Sequence, residues 1–341
     1  MKNFRFLSLV LVNVLAFFCS TTFAKEYKAT GEIERLDSAM DALVPPDAKI
    51  EVLAEGFTWS EGPVWIPQKD AISDGFLLFS DVPNNVVHRW DEQKGLSDFL
   101  KPSGFTGEAT NSPESGSNGL SLDGEGGLLL CQHGDRRLAL LDVPISEAKP
   151  AYKTLIDNYE GKRFNSPNDL AVHSSGAIYF TDPPYGLHGK WDDPRKELDF
   201  QGVYRLGTDG KVTLLTKELH APNGIALSPD EKTLYVAQSD PRKPVIIAYP
   251  IQEDGTIGKG RVFFDASELA KDRPGMPDGM KVDPAGNLFA TGPGGVLIIS
   301  PEGKHLGTIR PGGKVANCAF GENGKRLYMT NHQRLCRVQL Q

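Results

Sequence analysis

The chain has 341 residues, a formal net charge of −7 and 24% charged residues. An acidic balance of this kind repels phosphate backbones and anionic lipid heads, which excludes nucleic acid and an anionic membrane surface as partners. The 36 glycines and 24 prolines suit many short strands joined by turns, and long helix-periodic stretches are almost absent, so the expected class is all-β.

In chain order, residues 1–24 read as a signal peptide. Lys2 and Arg5 give a positive start, Phe6 to Phe18 form an apolar run, and Thr22-Phe23-Ala24 resembles a cleavage site. The run is shorter than the ~20 residues that span a bilayer, and Phe17-Phe18 before Cys19 lacks the small residues of a lipoprotein site. The mature chain is therefore expected to start near Lys25, to carry no membrane anchor and to be exported, periplasmic or secreted. Residues 25–48 read as an N-terminal extension with one short helix, from Ile33, Leu36, Met40 and Leu43 ahead of Pro45-Pro46.

From residue 49 to 341 one sentence recurs. "SNGLSLDGEGGLLLCQH" begins at Ser117, "SPNDLAVHSSGAIYFTD" at Ser166, "APNGIALSPDEKTLYVAQSD" at Ala221 and "MPDGMKVDPAGNLFATG" at Met276. Each copy has a polar head, then a strand, a turn and a second strand. The heads are Glu61, Asn118, Asn168, Asn223, Asp278 and Asn317, spaced by 39 to 57 residues, the period of a four-stranded propeller blade. Six heads predict a six-bladed β-propeller. Only three strands fit after Asn317, so "KIEVLAE" at 49–55 is expected to complete the last blade and close the ring, leaving no free edge.

The first strand of a blade lines the central channel, so the heads should meet at one mouth. Two of them, Glu61 and Asp278, are carboxylates that would repel each other if left bare. A divalent cation bound by Glu61, Asn168, Asn223 and Asp278 removes that conflict. Oxygen-only donors suit Ca²⁺ best, with Mg²⁺, Mn²⁺ or Zn²⁺ as alternatives. Residues just after second strands, Asp81, His133, Asp182, Gln238, Ser239 and His332, should rim the same mouth. The long connection 182–202, with Tyr185, His188 and Trp191, reads either as a lid or as a solvated loop. Segment 103–117 approaches the same mouth. Cys131, Cys318 and Cys336 remain after the leader. Cys318 and Cys336 fall two strands apart, nearly 10 Å, beyond the ~7 Å limit for a disulfide.

The ordered motifs "EGPVW", "SNGLSLD", "QHGDRR", "SPNDLAVHSSGAIYFTDPPYG", "PNGIALSPDEKTLYV", "PDGMKVDPAGNLFATGPGG" and "ANCAF" resemble the gluconolactonase family, which includes senescence marker protein and luciferin-regenerating enzyme. The resemblance implies a six-bladed propeller that hydrolyses lactones at a channel metal, with ligands at the same four positions and Asn118 on the substrate. It departs in two places: Ser166 stands where some members have Arg, and Gln132 where others have an acid. The expected reaction opens a gluconolactone-like sugar lactone to its hydroxy acid, the metal polarising the carbonyl. Asp278 is the first choice of base, with metal-bound hydroxide as competitor and His133 as second candidate. His133 and Tyr185 are also expected on the substrate. The alternatives are a calcium-dependent aryl-ester or organophosphate hydrolase and a non-catalytic exported propeller with a structural ion. The expected partner is the small lactone alone, bound by a monomer or weak homo-oligomer.

Overall fold

The computed structural model describes residues 26–68, 75–108 and 112–341; the expected leader, 1–24, lies outside the described residues. Six antiparallel sheets of four or five strands follow one another along the chain. Blade 1 comprises Ser60–Pro67, Gly75–Asp81, Val86–Asp91 and Gly95–Leu100. Blades 2, 3 and 4 begin at Ser117–Leu122, Leu170–Val172 and Pro222–Leu227, blades 5 and 6 at Met280–Val282 and Asn317–Gly321. These innermost strands touch in sequence order, and the sixth touches the first, so the ring is closed.

Burial explains the sequence pattern of each blade. Second strands such as Gly75–Asp81 and Leu128–Gln132 are buried along their whole length, because each is covered on both faces by neighbouring blades. They therefore read as unbroken apolar runs. Fourth strands face solvent on one side, and Gly95–Leu100 accordingly carries exposed Ser97 and Asp98. The first hairpins are closed by short turns. Asp283 Oδ1 accepts from Ala285 N and Asn287 N, and Gly286 takes φ +89°, where a side chain would be strained.

The closure is as expected. Ile50–Glu55 pairs antiparallel with Arg334–Gln339 and supplies the fourth strand of blade 6. Arg337 locks this seam: its guanidinium donates to Glu51 Oε2 at 2.9 and 2.8 Å and to Glu92 Oε2 at 2.5 Å. It also lies against the Tyr27 and Trp90 rings. Cys318 and Cys336 oppose the same residue, Met329, from either side, and both are free thiols.

The N-terminal extension differs from its expectation. It is woven onto the rim, Lys28–Thr30 pairing with Ile50–Glu55 and Glu32–Arg35 with His305–Arg310. Its helix is a 3-10 turn, Ser38–Ala42, capped by Asp37. Ile33 sits in a strand and Leu36 is exposed, while Met40 inserts between blades 5 and 6. The helix-like spacing of these apolar residues therefore comes from a strand followed by a turn. Among the described residues no helix is long and apolar enough to cross a membrane.

Candidate active site

Five of the six heads line one mouth, while Asn317 donates to Asp169, and in three blades the backbone entering the blade is gripped from behind. Asp81 accepts from Thr58 N and Trp59 N, just ahead of Glu61. Asp182 accepts from Asn165 N and Ser166 N ahead of Asn168, and Gln238 Oε1 from Ala221 N ahead of Asn223. Asp81, Asp182 and Gln238 are thus buried clamps that orient the heads, where the sequence suggested rim positions. Of the rim set, only Ser239 lines the cavity.

The glycine after a head answers a packing demand. A Cβ on Gly62 would collide with the carbonyl oxygen of Asn118, and one on Gly224 with that of Asp278. Each head therefore sits tight against the next blade, which narrows the ring enough for side chains to converge. Asp169 follows Asn168 where four of the other five heads are followed by glycine. Its carboxylate is buried, accepts from Leu170 N and Asn317 Nδ2, and is raised above the ordinary range by that burial. This third axial carboxylate was not expected, although an acidic residue at that repeat position marks it in the sequence.

A cavity of about 360 Å³ opens at this mouth, and its wall includes Glu61, Asn118, Asn168, Tyr185, Asn223 and Asp278. All four expected metal ligands and both Asn118 and Tyr185 are therefore brought together. Trp59 and Ser239 also face it, with Glu114, Lys190 and Lys314; the last three come from loops outside the repeat, which carry no periodic signal. His133 does not line the wall. It is fully buried, and its Nδ1 lies 3.9 Å from Glu114 Oε2. Burial lowers its pKa to about 3, so the ring stays neutral.

Loop 183–201 covers part of the mouth. Ser166 Oγ donates to Pro183 O and accepts from Gly186 N, so this residue anchors the root of the loop. Ser112 Oγ donates to Gly186 O at 2.5 Å, tying in the second loop. Trp191 packs edge-on to Tyr185, stacks on His220 and donates to its carbonyl. His188 is exposed.

The electrostatics of the mouth suit a cation. Burial, then Asp169, raises Glu61; burial, then Glu61 and Asp169, raises Asp278 well above the carboxylate range. Glu61 is oriented by Trp59 Nε1 at 3.3 Å and Gly62 N at 3.1 Å. Asn118 Oδ1 is buried with no hydrogen-bond partner among the described residues. Among the described residues no three His, Cys, Asp or Glu side chains form a metal cluster, so a cation would need amide oxygens beside the two carboxylates. The donors present are all hard oxygens, and they fit Ca²⁺ or Mg²⁺ better than a softer ion.

Fold and mouth together define a six-bladed β-propeller with an axial small-molecule pocket. Residues 59–333 match the SMP-30/Gluconolactonase/LRE-like region, and the chain belongs to this family. It is 41% identical to a gluconolactonase of Zymomonas mobilis over 314 residues, covering 90% of this chain and 86% of that protein. A solved gluconolactonase from Xanthomonas campestris superposes with a TM-score of 0.78 at 31% identity, over 94% of this chain and 99% of that one. A calcium-binding protein, regucalcin, from Agrobacterium tumefaciens shares the fold, with a TM-score of 0.61 at 19% identity over 85% and 93% of the two chains.

Proposed function

We propose that this protein is a lactonase that opens gluconolactone-type sugar lactones with the help of one divalent cation. The observation that carries the reading is the convergence of Glu61, Asn168, Asn223 and Asp278 on one cavity wall, in a chain closely similar to a gluconolactonase over nearly its whole length. Glu61, Asp278, Asn168 and Asn223 would hold the cation, and Ca²⁺ is the ion their chemistry favours. The calcium-binding description of the regucalcin neighbour supports that choice. When bound, the cation supplies Lewis-acid polarisation of the lactone carbonyl and balances the buried charge.

The remaining work falls to the chain. Asn118 Oδ1, buried with no partner among the described residues, accepts a substrate hydroxyl, and Tyr185 packs on the sugar from the loop side. Asp278 takes the proton of the attacking water on its free carboxylate oxygen. His133 is not given this role, because it lies behind the wall and burial lowers its pKa to about 3, which makes the ring a weak base. The leader expected at 1–24 makes export part of the same reading.

A panel of lactones assayed on metal-stripped protein, reloaded in turn with Ca²⁺, Mg²⁺, Mn²⁺ and Zn²⁺, tests this. Turnover of an aldonolactone restored by at least one ion is expected. A protein that hydrolyses no lactone at any loading, yet melts earlier after chelation, would have a structural ion and no such activity.

A further inference from the structure

Among the described residues, Glu114 is the one carboxylate on the cavity wall outside the axial ring. It stands on the segment leading into Ser117–Leu122, and no described residue hydrogen-bonds to its carboxyl. Around it are His133 Nδ1 at 3.9 Å, Lys190 from loop 183–201, Tyr185 of the same loop, and Glu61 and Asp278 of the ring, both of which feel its charge.

Opening a sugar lactone poses a demand that the axial groups do not meet. When the acyl C–O bond breaks, the ring oxygen departs as an alkoxide, a strong base that needs a proton in the transition state. Around a cation Glu61 would be ionised and carry none, and Asp278 would be ionised until it takes the proton of the attacking water, which it then releases to solvent. Tyr185 is pushed far up by burial, so its phenol is a weak acid. Burial raises Glu114 to about 6, with Lys190 opposing, which leaves a carboxylic acid able to carry a proton near neutrality.

We propose that Glu114 is the proton donor to the leaving ring oxygen. The step balances without a co-reactant. The water oxygen bonds to the carbonyl carbon and its proton goes to Asp278. The acyl C–O bond then breaks, its electron pair stays on the ring oxygen, and that oxygen takes the proton of Glu114. The proton on Asp278 returns through solvent to Glu114, and the sum is lactone plus water to hydroxy acid. This assignment rests on the lactonase reading.

The test compares two leaving groups in wild type, Glu114→Gln and Glu114→Asp. Gluconolactone leaves as an alkoxide, whereas dihydrocoumarin leaves as a phenoxide that departs unprotonated. Glu114→Gln should lower kcat on gluconolactone by about 100-fold, leave dihydrocoumarin nearly unchanged, and abolish the alkaline decline of kcat on gluconolactone. Glu114→Asp should recover part of the loss. Equal losses on both substrates, or no loss on gluconolactone, overturn the assignment. If the wild type is inactive on dihydrocoumarin, the pH profile decides: an alkaline limb that survives in Glu114→Gln overturns it. A wild type inert toward every lactone sinks the lactonase reading itself, a result distinct from these.

Discussion

Asn168 Nδ2 donates to Asn223 Oδ1 at 3.1 Å, so the amides of two neighbouring blades already touch at the channel mouth. Asn223 is in turn held from behind, its Nδ2 donating to Ser239 Oγ at 3.0 Å, and Ser239 Oγ donates to Pro277 O beside Asp278. One hydroxyl thus orients two of the proposed ligands. Ser239→Ala should weaken cation binding by about 10–100-fold, the usual cost of losing an outer hydrogen bond to a ligand. Calorimetric titration of the metal-stripped variant measures it, and an unchanged affinity would detach Ser239 from the site.

Asp278→Asn separates stability from activity. Removing one of three repelling buried carboxylates should stabilise the metal-free protein, by about 1 kcal/mol or more near pH 8. The same change should abolish lactone turnover. Urea unfolding with EDTA present, alongside an activity assay, checks both. A destabilised, active variant would contradict the proposed site.

The pH dependence of the metal-free protein follows from two of these carboxylates. Burial and mutual repulsion hold Glu61 and Asp278 above their unfolded values of 4.5 and 3.8. Groups raised in the folded state contribute stability that is full below those unfolded values and is lost as pH rises through the folded ones. With EDTA, the melting temperature should therefore fall from weakly acidic to weakly alkaline pH. Excess Ca²⁺ should flatten that slope, restoring most at the alkaline end, where protons no longer compete for the carboxylates. A Ca²⁺ shift that is the same at both ends would argue against cation binding by this pair.

Arg337 is buried while Glu51 and Glu92 are partly exposed. Arg337→Ala strands no fully buried charge but removes the bridge between blade 6, its borrowed strand and blade 1. A loss of about 2 kcal/mol is expected, between the surface and buried limits for ion pairs. The midpoint of urea denaturation reads it, and kcat should hardly move because the seam is far from the cavity wall.

The ring of heads was legible because repetition makes it so. Asn118, Asn223 and Asp278 each precede a glycine forced by close approach to the next blade, and that constraint leaves a pattern in the sequence. Residues outside the repeat left none. Glu114, Lys190 and Lys314 reach the cavity from loops whose paths depend on tertiary contacts such as Ser112 to Gly186. Asp81 and Asp182 were placed in the right neighbourhood and given the wrong direction, because position along a strand does not say that a carboxylate will turn back to cap the preceding loop. His133 fell inside the wall for a related reason: Gly186 packs against its Cβ and seals it off.

The sheet that joins Ile50–Glu55 to Arg334–Gln339 also imposes a timetable. While the chain is being synthesised, one edge of the early strand can pair with Lys28–Thr30, but the other stays bare until Arg334–Gln339 emerges. Pairing across so long a separation is entropically slow, so the earlier blades can assemble from neighbouring segments while the annulus stays open. Its last seam acts as a clasp made from two segments far apart in the chain, and removing either segment removes half of it.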